Sequence, residues 1–383
     1  MSMFAVNILS YYLSLKNFDM KTKLINLFLI LILLFTGSII TTNESYAGPP
    51  KRPRNIILLI GDGMGDAQVY AAMSVNPQPL YMEQFPFSGF SITRSADNYV
   101  TDSGAGGTAI SCGIKTNNGM IGMAPDKTIV PSIIDIAHKH GMATGVVSTS
   151  AVTHATPASF VAHNESRNNY EAIAADYLKG TIDVFLGGGV DHFRNRQDGK
   201  DLTVDLKSQG FDVVYNLDDM RTSTSDKIAG LLAKEHMPTV MEGREGVLEE
   251  MTWKAIETLS KDKDGFFLMV EGSQIDWGGH ENNADYVITE TLDFDKAVGV
   301  ALEFAKQDRR TLVLVTADHE TGGLTIPGGN EKEQTITVKF STPGHSAVMV
   351  PVFSFGPGAE KFSGINQNTF FLDLFLKLLK IRK

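Results

Sequence analysis

The chain has 383 residues, of which 43% are hydrophobic and 20% charged, a composition that excludes a disordered or fibrous protein. Its formal net charge is −10 and it has no basic stripe, which excludes nucleic acid as an expected partner. The single cysteine, Cys112, excludes an internal disulfide, so stability must come from the core or from bound metal.

The N-terminal residues predict an export signal rather than part of a fold. Lys21 and Lys23 precede a nearly unbroken apolar run from Leu24 to Ile40, and the small residues of Ser45-Tyr46-Ala47 follow it. This order is typical of a secretory signal peptide, here residues 1–47 with cleavage after Ala47.

Met20 stands directly before the basic residues and is an alternative start of the protein. An uncleaved anchor is the competing interpretation of the apolar run, which is somewhat short for a membrane span. We expect a mature chain, residues 48–383, that has no membrane span and is exported to the periplasm or secreted.

Short apolar runs alternate with amphipathic stretches along the mature chain. The runs, typical of strands buried on both faces, are Asn55 to Ile60, Ala143 to Val147, Val184 to Leu186, Gly265 to Val270, Thr311 to Val315 and Val350 to Phe355. The predicted helices are Pro131 to His140, Tyr170 to Leu178, Leu248 to Ser260 and Ala284 to Lys306. This alternation predicts a single α/β domain with a central, mostly parallel sheet and helices on both faces.

Two stretches break this alternation. Residues 190–245 are more polar and less regular, which favours an insertion or a cap over one side of the sheet. Gly328 to Lys339 is rich in Glu, Lys and Thr and predicts a surface hairpin or loop.

Acids and histidines follow the predicted strands, where an α/β sheet gathers its ligands. Seven such residues are Asp62, Glu271, Asp276, His280, Asp318, His319 and His345. Any one of them alone is better explained as a turn former, a cap or a packed side chain. Together at one edge they would repel one another without cations, and imidazole with carboxylate is a ligand set for zinc.

The stretch from Thr101 to Ile110 places Ser103 ahead of a run of glycine and alanine. Small residues let a substrate approach closely, and a helix beginning here would favour an anion at its N-terminus. Ser103 is therefore a candidate nucleophile, with a helix N-cap as the alternative. Asp102 is expected to bind Arg167 or a backbone N–H.

Four blocks in this order resemble the alkaline phosphatases, and together they span Asn55 to about Gly356. The blocks are Ile57 to Gly65, Thr101-Asp102-Ser103, Val270 to Asp276 and Thr316 to Gly323, with His345 after them. The resemblance implies hydrolysis of phosphate monoesters to alcohol and inorganic phosphate through a phosphoserine on Ser103, with two zinc ions and one magnesium ion as cofactors.

The resemblance also implies the ligand sets. The first zinc would be bound by Asp276, His280 and His345, and the second by Asp62, Asp318 and His319, with Ser103 facing it. Magnesium would be bound by Asp62, Thr156 and Glu271. Arg167 would bind phosphate, because its planar fork can hold two oxygens at once; without the other blocks a surface ion pair would explain it better.

Two positions depart from the best-studied bacterial pattern, in which some members have Asp at the position of His154 and Lys at that of Trp277. An imidazole near the third site changes its charge, so weaker magnesium binding or competition from zinc is expected. Trp277 could reach phosphate only through its indole N–H or a water. The chain is also short for the family, which leaves its oligomeric state open, with a homodimer as one possibility.

Two other classes of function compete with this one. The first is a phosphodiesterase or sulfatase of the same superfamily, and the second is a non-catalytic protein that binds metal or phosphate. Ser103 together with Arg167 and Glu271 favours small phosphate monoesters as substrates.

Overall fold

Strands and helices alternate along the chain in the computed structural model, which describes residues 52–383. The strands are β1 (Asn55–Gly61), β2 (Phe87–Ile92), β3 (Ala143–Ala151), β4 (Val184–Gly188), β5 (Asp212–Val214), β6 (Ile228–Ala233), β7 (Phe266–Gly272), β8 (Thr311–Thr316), β9 (Glu320–Thr321), β10 (Thr325–Asn330), β11 (Thr335–Lys339), β12 (His345–Ser346), β13 (Val350–Phe355) and β14 (Gly364–Gln367). The helices are α1 (Asp66–Val75), α2 (Ser103–Cys112), α3 (Ile133–Lys139), α4 (Ala155–Val161), α5 (Tyr170–Asp176), α6 (Val190–Arg194), α7 (Leu202–Ser208), α8 (Leu217–Thr222), α9 (Val247–Leu259), α10 (Gln274–His280), α11 (Ala284–Asp308) and α12 (Phe370–Leu379). The 3₁₀ helices are Tyr81–Gln84, Tyr177–Lys179, Val240–Glu242 and Ala359–Phe362.

Ten strands form one sheet in the order β14-β2-β13-β8-β1-β7-β3-β4-β6-β5. Within this sheet only β13 runs against its neighbours, being antiparallel to both β8 and β2. Two smaller pairs lie outside it, β10 with β11 and β9 with β12. The sheet confirms the predicted α/β class with a mostly parallel sheet.

The strand β1 shows why a continuous apolar run indicates such a sheet. Ile56, Leu58 and Ile60 belong to one hydrophobic core, which includes residues of α2, α3 and α12. Ile57 and Leu59 belong to a second core, which includes residues of α1, α9 and α11. Since successive side chains of a strand point to opposite faces, both faces of β1 are covered and every position must be apolar.

The expectation of an irregular cap at residues 190–245 is wrong. This segment contains α6, α7 and α8 and supplies β5 and β6, which end the main sheet. β5 has three residues and lies at the edge, where fewer apolar side chains are needed than in a central strand. The stretch Gly328 to Lys339 does form an exposed hairpin, in β10 and β11.

Two predictions about export meet the structure differently. The predicted signal peptide, residues 1–47, lies outside the described residues. Among residues 52–383, no helix combines the length and the apolar character that crossing a bilayer requires.

Cys112 is buried as expected, and burial raises the pKa of its thiol to about 12.

Candidate active site

The site lies at the carboxyl edge of the central strands. Asp62 follows β1, Glu271 lies near the end of β7, and Asp318 and His319 follow β8. His345 precedes β13, and because that strand is antiparallel its beginning lies at the same edge. The direction of one strand therefore brings His345 to the other candidate ligands.

A tight turn after β1 places Asp62 beside Asp318. Gly63 adopts a φ of 74°, and its N–H donates to Asp318 Oδ1 at 3.3 Å. A Cβ on Gly63 would lie 2.7 Å from the Cα of Asp276. Only glycine suits both this backbone conformation and this close approach.

Helix α2 presents Ser103 as its first residue, with Asp102 as the N-cap. Asp102 Oδ1 accepts the N–H of Ala105 at 2.9 Å. The alternative that Ser103 caps the helix is thus wrong, because the preceding carboxylate does so. The Ser103 hydroxyl is left free and lies 3.1 Å from His319 Nε2.

The glycines of α2 allow close packing against protein rather than space for substrate. A Cβ on Gly106 would lie 2.9 Å from the backbone oxygen of Asp318, and one on Gly107 would lie 2.3 Å from Ser159 Oγ. For Gly106 and Gly107, the expectation that small residues serve the close approach of a substrate is therefore wrong. They bring the helix, and with it Ser103, against the Asp318 loop.

The first cluster able to hold a cation surrounds Ser103. Asp62, Asp318 and His319 each offer a ligand atom, and these atoms lie within 4.8 Å of one another. His319 Nε2 is 3.3 Å from Asp62 Oδ1 and 3.4 Å from Asp318 Oδ2. All three side chains are fully buried.

The second cluster lies beside the first and shares His319. Asp276, His319 and His345 meet the same distance criterion. His280 Nε2 is 3.4 Å from Asp276 Oδ2 and 3.2 Å from His345 Nε2. The structure thus brings together the predicted set Asp276, His280 and His345.

The third cluster consists of Asp62, His154 and Glu271. Thr156, near the start of α4, donates from Oγ1 to Asp62 Oδ2 at 3.3 Å. His154 is the N-cap residue of that helix, and its Nδ1 is buried without a hydrogen-bond partner among the described residues. The three residues of the predicted third set, Asp62, Thr156 and Glu271, therefore lie close together, and His154 lies with them.

Backbone and hydroxyl oxygens orient the three histidines. His280 Nδ1 lies 2.7 Å from the carbonyl oxygen of Pro343, and His345 Nδ1 lies 2.8 Å from that of Thr101. Each Nδ1 must donate a hydrogen to its carbonyl, so in the neutral ring Nε2 is the acceptor. Two acceptor nitrogens 3.2 Å apart then require a proton or a cation between them.

Thr321 orients His319 in the same way. Its single hydroxyl hydrogen is donated to Asp276 Oδ1, so its oxygen accepts from His319 Nδ1 at 3.2 Å. His319 Nε2 is therefore also an acceptor directed at Ser103.

The carboxylates of the site repel one another. Burial, followed by the charges of Asp318, Asp276 and Glu271, holds the pKa of Asp62 well above its usual range. Burial and the charges of Asp276 and Glu271 raise the pKa of Asp318 to about 7. Asp62 Oδ1, Asp318 Oδ2 and Glu271 Oε1 are also buried and have no hydrogen-bond partner within residues 52–383. Such a cluster is stabilised by bound cations.

The histidines respond to the same surroundings. A hydrogen bond with Asp276 raises the pKa of His280 to about 9, although burial opposes it. Burial favours the neutral acid of Asp276 and so acts to raise its pKa, but the hydrogen bond with His280 and the charges of the neighbouring histidines hold that pKa below its usual range. Burial and the charge of His345 hold the pKa of His319 well below its usual range.

Arg167 reaches the site from a turn between α4 and α5. Its Nη1 donates to Asp102 Oδ2 at 2.9 Å, and its Nη2 lies 3.3 Å from His154 Nε2. The same Asp102 oxygen accepts the N–H of Gly119 at 3.0 Å. Asp102 thus binds both partners that the sequence leaves open, Arg167 and a backbone N–H.

Trp277 packs at the rim of the third cluster. Its ring lies 6.2 Å from that of His154 and 4.7 Å from that of His236, both edge to face. His236 is a residue that sequence reasoning misses, as are Thr321 and the serines around Glu271. Ser148 and Ser150 alternate at the end of β3, the strand next to β7, and that position is the signal that could have found them.

A serine hydroxyl within 3.1 Å of a histidine of buried cation-binding clusters, with an arginine nearby, defines a class, the metal-dependent hydrolases of anionic esters. Comparison with known proteins finds matches to one family within this class. The alkaline phosphatase family model matches residues 53–339. Alkaline phosphatase 4 of Bacillus subtilis is 32% identical, over 95% of this chain and 98% of its own.

A solved structure is also similar. The alkaline phosphatase of the Antarctic bacterium TAB5 is 47% identical with a TM-score of 0.83, over 87% of this chain and all of its own. One TAB5 variant, in which a histidine is replaced by glutamate, is described with magnesium bound in its M3 site, at 46% identity and the same TM-score. The chain belongs to the alkaline phosphatase family and is a phosphoric monoester hydrolase with a metal site.

Proposed function

We propose that the protein hydrolyses small phosphate monoesters through a phosphoserine on Ser103, at a site with two zinc ions and one magnesium ion. The observation that carries this proposal is the position of the Ser103 hydroxyl at the N-terminus of α2, 3.1 Å from His319 Nε2. Membership in the alkaline phosphatase family supports it.

The residues present fit the three cations. Asp276, His280 and His345 would hold the first zinc, and Asp62, Asp318 and His319 the second, beside Ser103. Asp62, Thr156 and Glu271 would hold magnesium. The buried carboxylate oxygens without partners support this assignment, since each has a free lone pair for a cation. When bound, such cations neutralise the phosphate dianion and lower the pKa of hydroxyl groups that coordinate them.

The side chains of the protein then have defined roles. Ser103 Oγ attacks phosphorus, the bond to the leaving alcohol breaks, and the phosphoryl group is carried on the serine. Water attacks phosphorus in the second half, which releases inorganic phosphate and restores the hydroxyl. Arg167 holds two non-bridging oxygens and is itself held by Asp102.

His154 sets the charge of the third site. Burial, followed by the charges of Arg167 and His236, lowers its pKa to about 3, so the imidazole is neutral where the enzyme works. A neutral ligand where some relatives have a carboxylate weakens the attraction for magnesium and lets zinc compete. A TAB5 variant with glutamate in place of a histidine is described with magnesium bound in its M3 site, and we propose that His154 occupies the corresponding position in this chain.

Ser103→Ala tests the proposal. We expect hydrolysis of p-nitrophenyl phosphate to fall by several orders of magnitude with zinc content largely retained, and EDTA to abolish wild-type activity. Ser111→Ala is the matched control, since Ser111 is a buried hydroxyl at the other end of α2 whose Oγ donates to the carbonyl of Ser159 at 2.7 Å. Intact hydrolysis by the Ser103 variant would refute the phosphoserine.

A monoester and diester comparison separates this function from that of a phosphodiesterase. Arg167 favours monoesters because its fork binds two oxygens that carry no ester group. We expect faster turnover of p-nitrophenyl phosphate than of its bis ester, and the reverse order would assign the chain to diesters.

Export and assembly complete the proposal. We propose that residues 1–47 direct export to the periplasm or the medium, which N-terminal sequencing of the exported protein tests. A homodimer is the proposed assembly, to be tested by analytical ultracentrifugation of the mature chain.

A further inference from the structure

The two oxygens of the Glu271 carboxylate have opposite environments. Oε2 accepts from the hydroxyls of Ser148 at 2.7 Å and Ser273 at 2.6 Å, and Ser150 Oγ lies farther from it, at 3.3 Å. Oε1 is equally buried and has no hydrogen-bond partner among residues 52–383. Glu271 is fully buried at the end of β7, so this asymmetry is built into the protein.

An accounting of hydrogens shows why both hydroxyls must donate to Oε2. The N–H of Ser150 lies 3.0 Å from Ser148 Oγ and 3.0 Å from Ser273 Oγ, and it can only donate. Both hydroxyl oxygens accept from this N–H, and because a carboxylate oxygen can only accept, the contacts of 2.7 and 2.6 Å with Oε2 require the hydrogen of each hydroxyl. Both serines are fully buried.

The backbone fixes this arrangement from two strands. Ser148 lies on β3 and Glu271 on β7, and the two residues are paired in the parallel register of the sheet. Ser273 is held by its N–H, which donates to Thr149 Oγ1 at 2.9 Å. The donors therefore cannot follow the carboxylate if it turns.

We infer that Ser148 and Ser273 are positioning residues that hold Glu271 by one oxygen and present the other, Oε1, to a divalent cation as a single ligand atom. The inference rests on the third site of the proposed function. Glu271 offers a carboxylate oxygen within 4.8 Å of ligand atoms of Asp62 and His154, and Oε1 is the one with free capacity.

Ligation by one oxygen has a consequence for metal choice. Calcium accepts carboxylates through both oxygens and takes six to eight ligands, whereas magnesium demands near-octahedral geometry with few carboxylates. A carboxylate whose second oxygen is occupied by two hydroxyls cannot bind through both. The serine pair therefore favours magnesium over calcium at this site.

The test measures metal affinity rather than activity. Magnesium and calcium are titrated calorimetrically into the full protein with zinc content fixed, for wild type, Ser148→Ala, Ser273→Ala and the double variant. Loss of such supporting contacts weakens metal binding by about 10- to 100-fold, and we expect this for magnesium in the double variant. Calcium affinity should fall less, so the ratio of the two affinities narrows.

Each single variant keeps one of the two close donors, besides the more distant Ser150 hydroxyl, and should show a smaller loss. This preserves the test if the double variant does not fold. Ser111→Ala controls for loss of a buried hydroxyl. Unchanged magnesium affinity in a folded double variant, or equal losses for both metals, would overturn the inference. A wild-type protein that binds no third cation would instead refute the third site of the proposed function.

Discussion

Replacing Arg167 by alanine separates a role in binding phosphate from a role in the fold. The guanidinium is held on one side by Asp102 and on the other lies beside His154, and its side chain is 21% exposed toward solvent. Burial opposes its charge, but the charge and hydrogen bond of Asp102 outweigh this and raise the pKa of Arg167. The group is thus a fixed cation at the open side of the site.

The expected loss follows from the hydrogen bonds to phosphate. A hydrogen bond to a charged group contributes about 1.5–3 kcal/mol. Two of them at the lower end of that range, as suits a partly exposed site, give about 3 kcal/mol, or about 100-fold in affinity for inorganic phosphate.

The cost to the fold should be small. Asp102 loses one partner but keeps the N–H groups of Ala105 and Gly119, and its side chain is 19% exposed. An ion pair at that exposure contributes about 1 kcal/mol or less. Zinc content should be unchanged, since Arg167 contacts none of the proposed zinc ligands directly.

The assay is the inhibition constant of inorganic phosphate in p-nitrophenyl phosphate hydrolysis, with zinc measured by mass spectrometry on the same samples. Arg167→Lys retains the charge but not the planar fork and should give an intermediate constant. Arg194→Ala, which removes an exposed partner of Asp201, is the control for loss of a surface arginine. Loss of zinc from the alanine variant, or an unchanged constant, would refute the role in phosphate binding.

Three further predictions concern charge at other buried positions. His154→Asp adds a negative charge at the third site and should tighten magnesium binding by at least about 10-fold in calorimetry; unchanged affinity would place His154 outside that site. Arg244→Met leaves the buried carboxylates of Glu290 and Asp293 unpaired and should lower the free energy of unfolding, measured in urea, by about 3–5 kcal/mol. A loss below about 1 kcal/mol would contradict this prediction. Burial raises the pKa of Asp295 from 3.8 to about 6, so its contribution to the free energy of unfolding is complete below pH 3.8 and is lost as pH rises toward 6. With EDTA present, the free energy of unfolding of Asp295→Asn should therefore decline by about 3 kcal/mol less than that of the wild type over this range. Equal declines in the two proteins would contradict this prediction.

Much of the central sheet could be predicted because burial on both faces leaves a direct mark on sequence. The run from Asn55 to Ile60 needs apolar residues at every position, since it contributes to both cores. The edge strands β5 and β14, and β2 next to β14, carry no such mark. The direction of a strand also leaves no mark on sequence. The apolar run from Val350 to Phe355 resembles those of the parallel strands, but it runs antiparallel to β8, and only the pairing in the sheet shows this.

The site could be predicted as a set of residues but not as a set of contacts. Asp62, Asp318 and His319 follow strands that share one edge, so their meeting follows from the topology. Which of Asp102 and Ser103 caps α2 is decided by backbone dihedrals, because either side chain can accept the N–H. The bonding of Ser148 and Ser273 to one oxygen of Glu271 depends on register between β3 and β7, which no local pattern encodes.

Removal of metal should destabilise the protein as well as inactivate it. The ligand clusters bring buried carboxylates together, and in the part of the chain that the structure describes Asp62 Oδ1 and Asp318 Oδ2 have no hydrogen-bond partner to offset their burial. Each cation supplied at 100 times its dissociation constant adds about 2.7 kcal/mol to the free energy of unfolding. The two proposed zinc sites would therefore contribute about 5 kcal/mol, a large share of the stability of a typical domain.

Differential scanning calorimetry with EDTA, and then with zinc and magnesium restored, measures this contribution. We expect the melting temperature to fall on chelation and to recover when metal is added. Asp318→Asn weakens one zinc site while keeping the size of the side chain, so chelation should shift its melting temperature less than that of the wild type. A melting temperature that does not respond to chelation would mean that these buried carboxylates are stabilised by protons rather than by cations, and the proposed zinc sites would then be wrong.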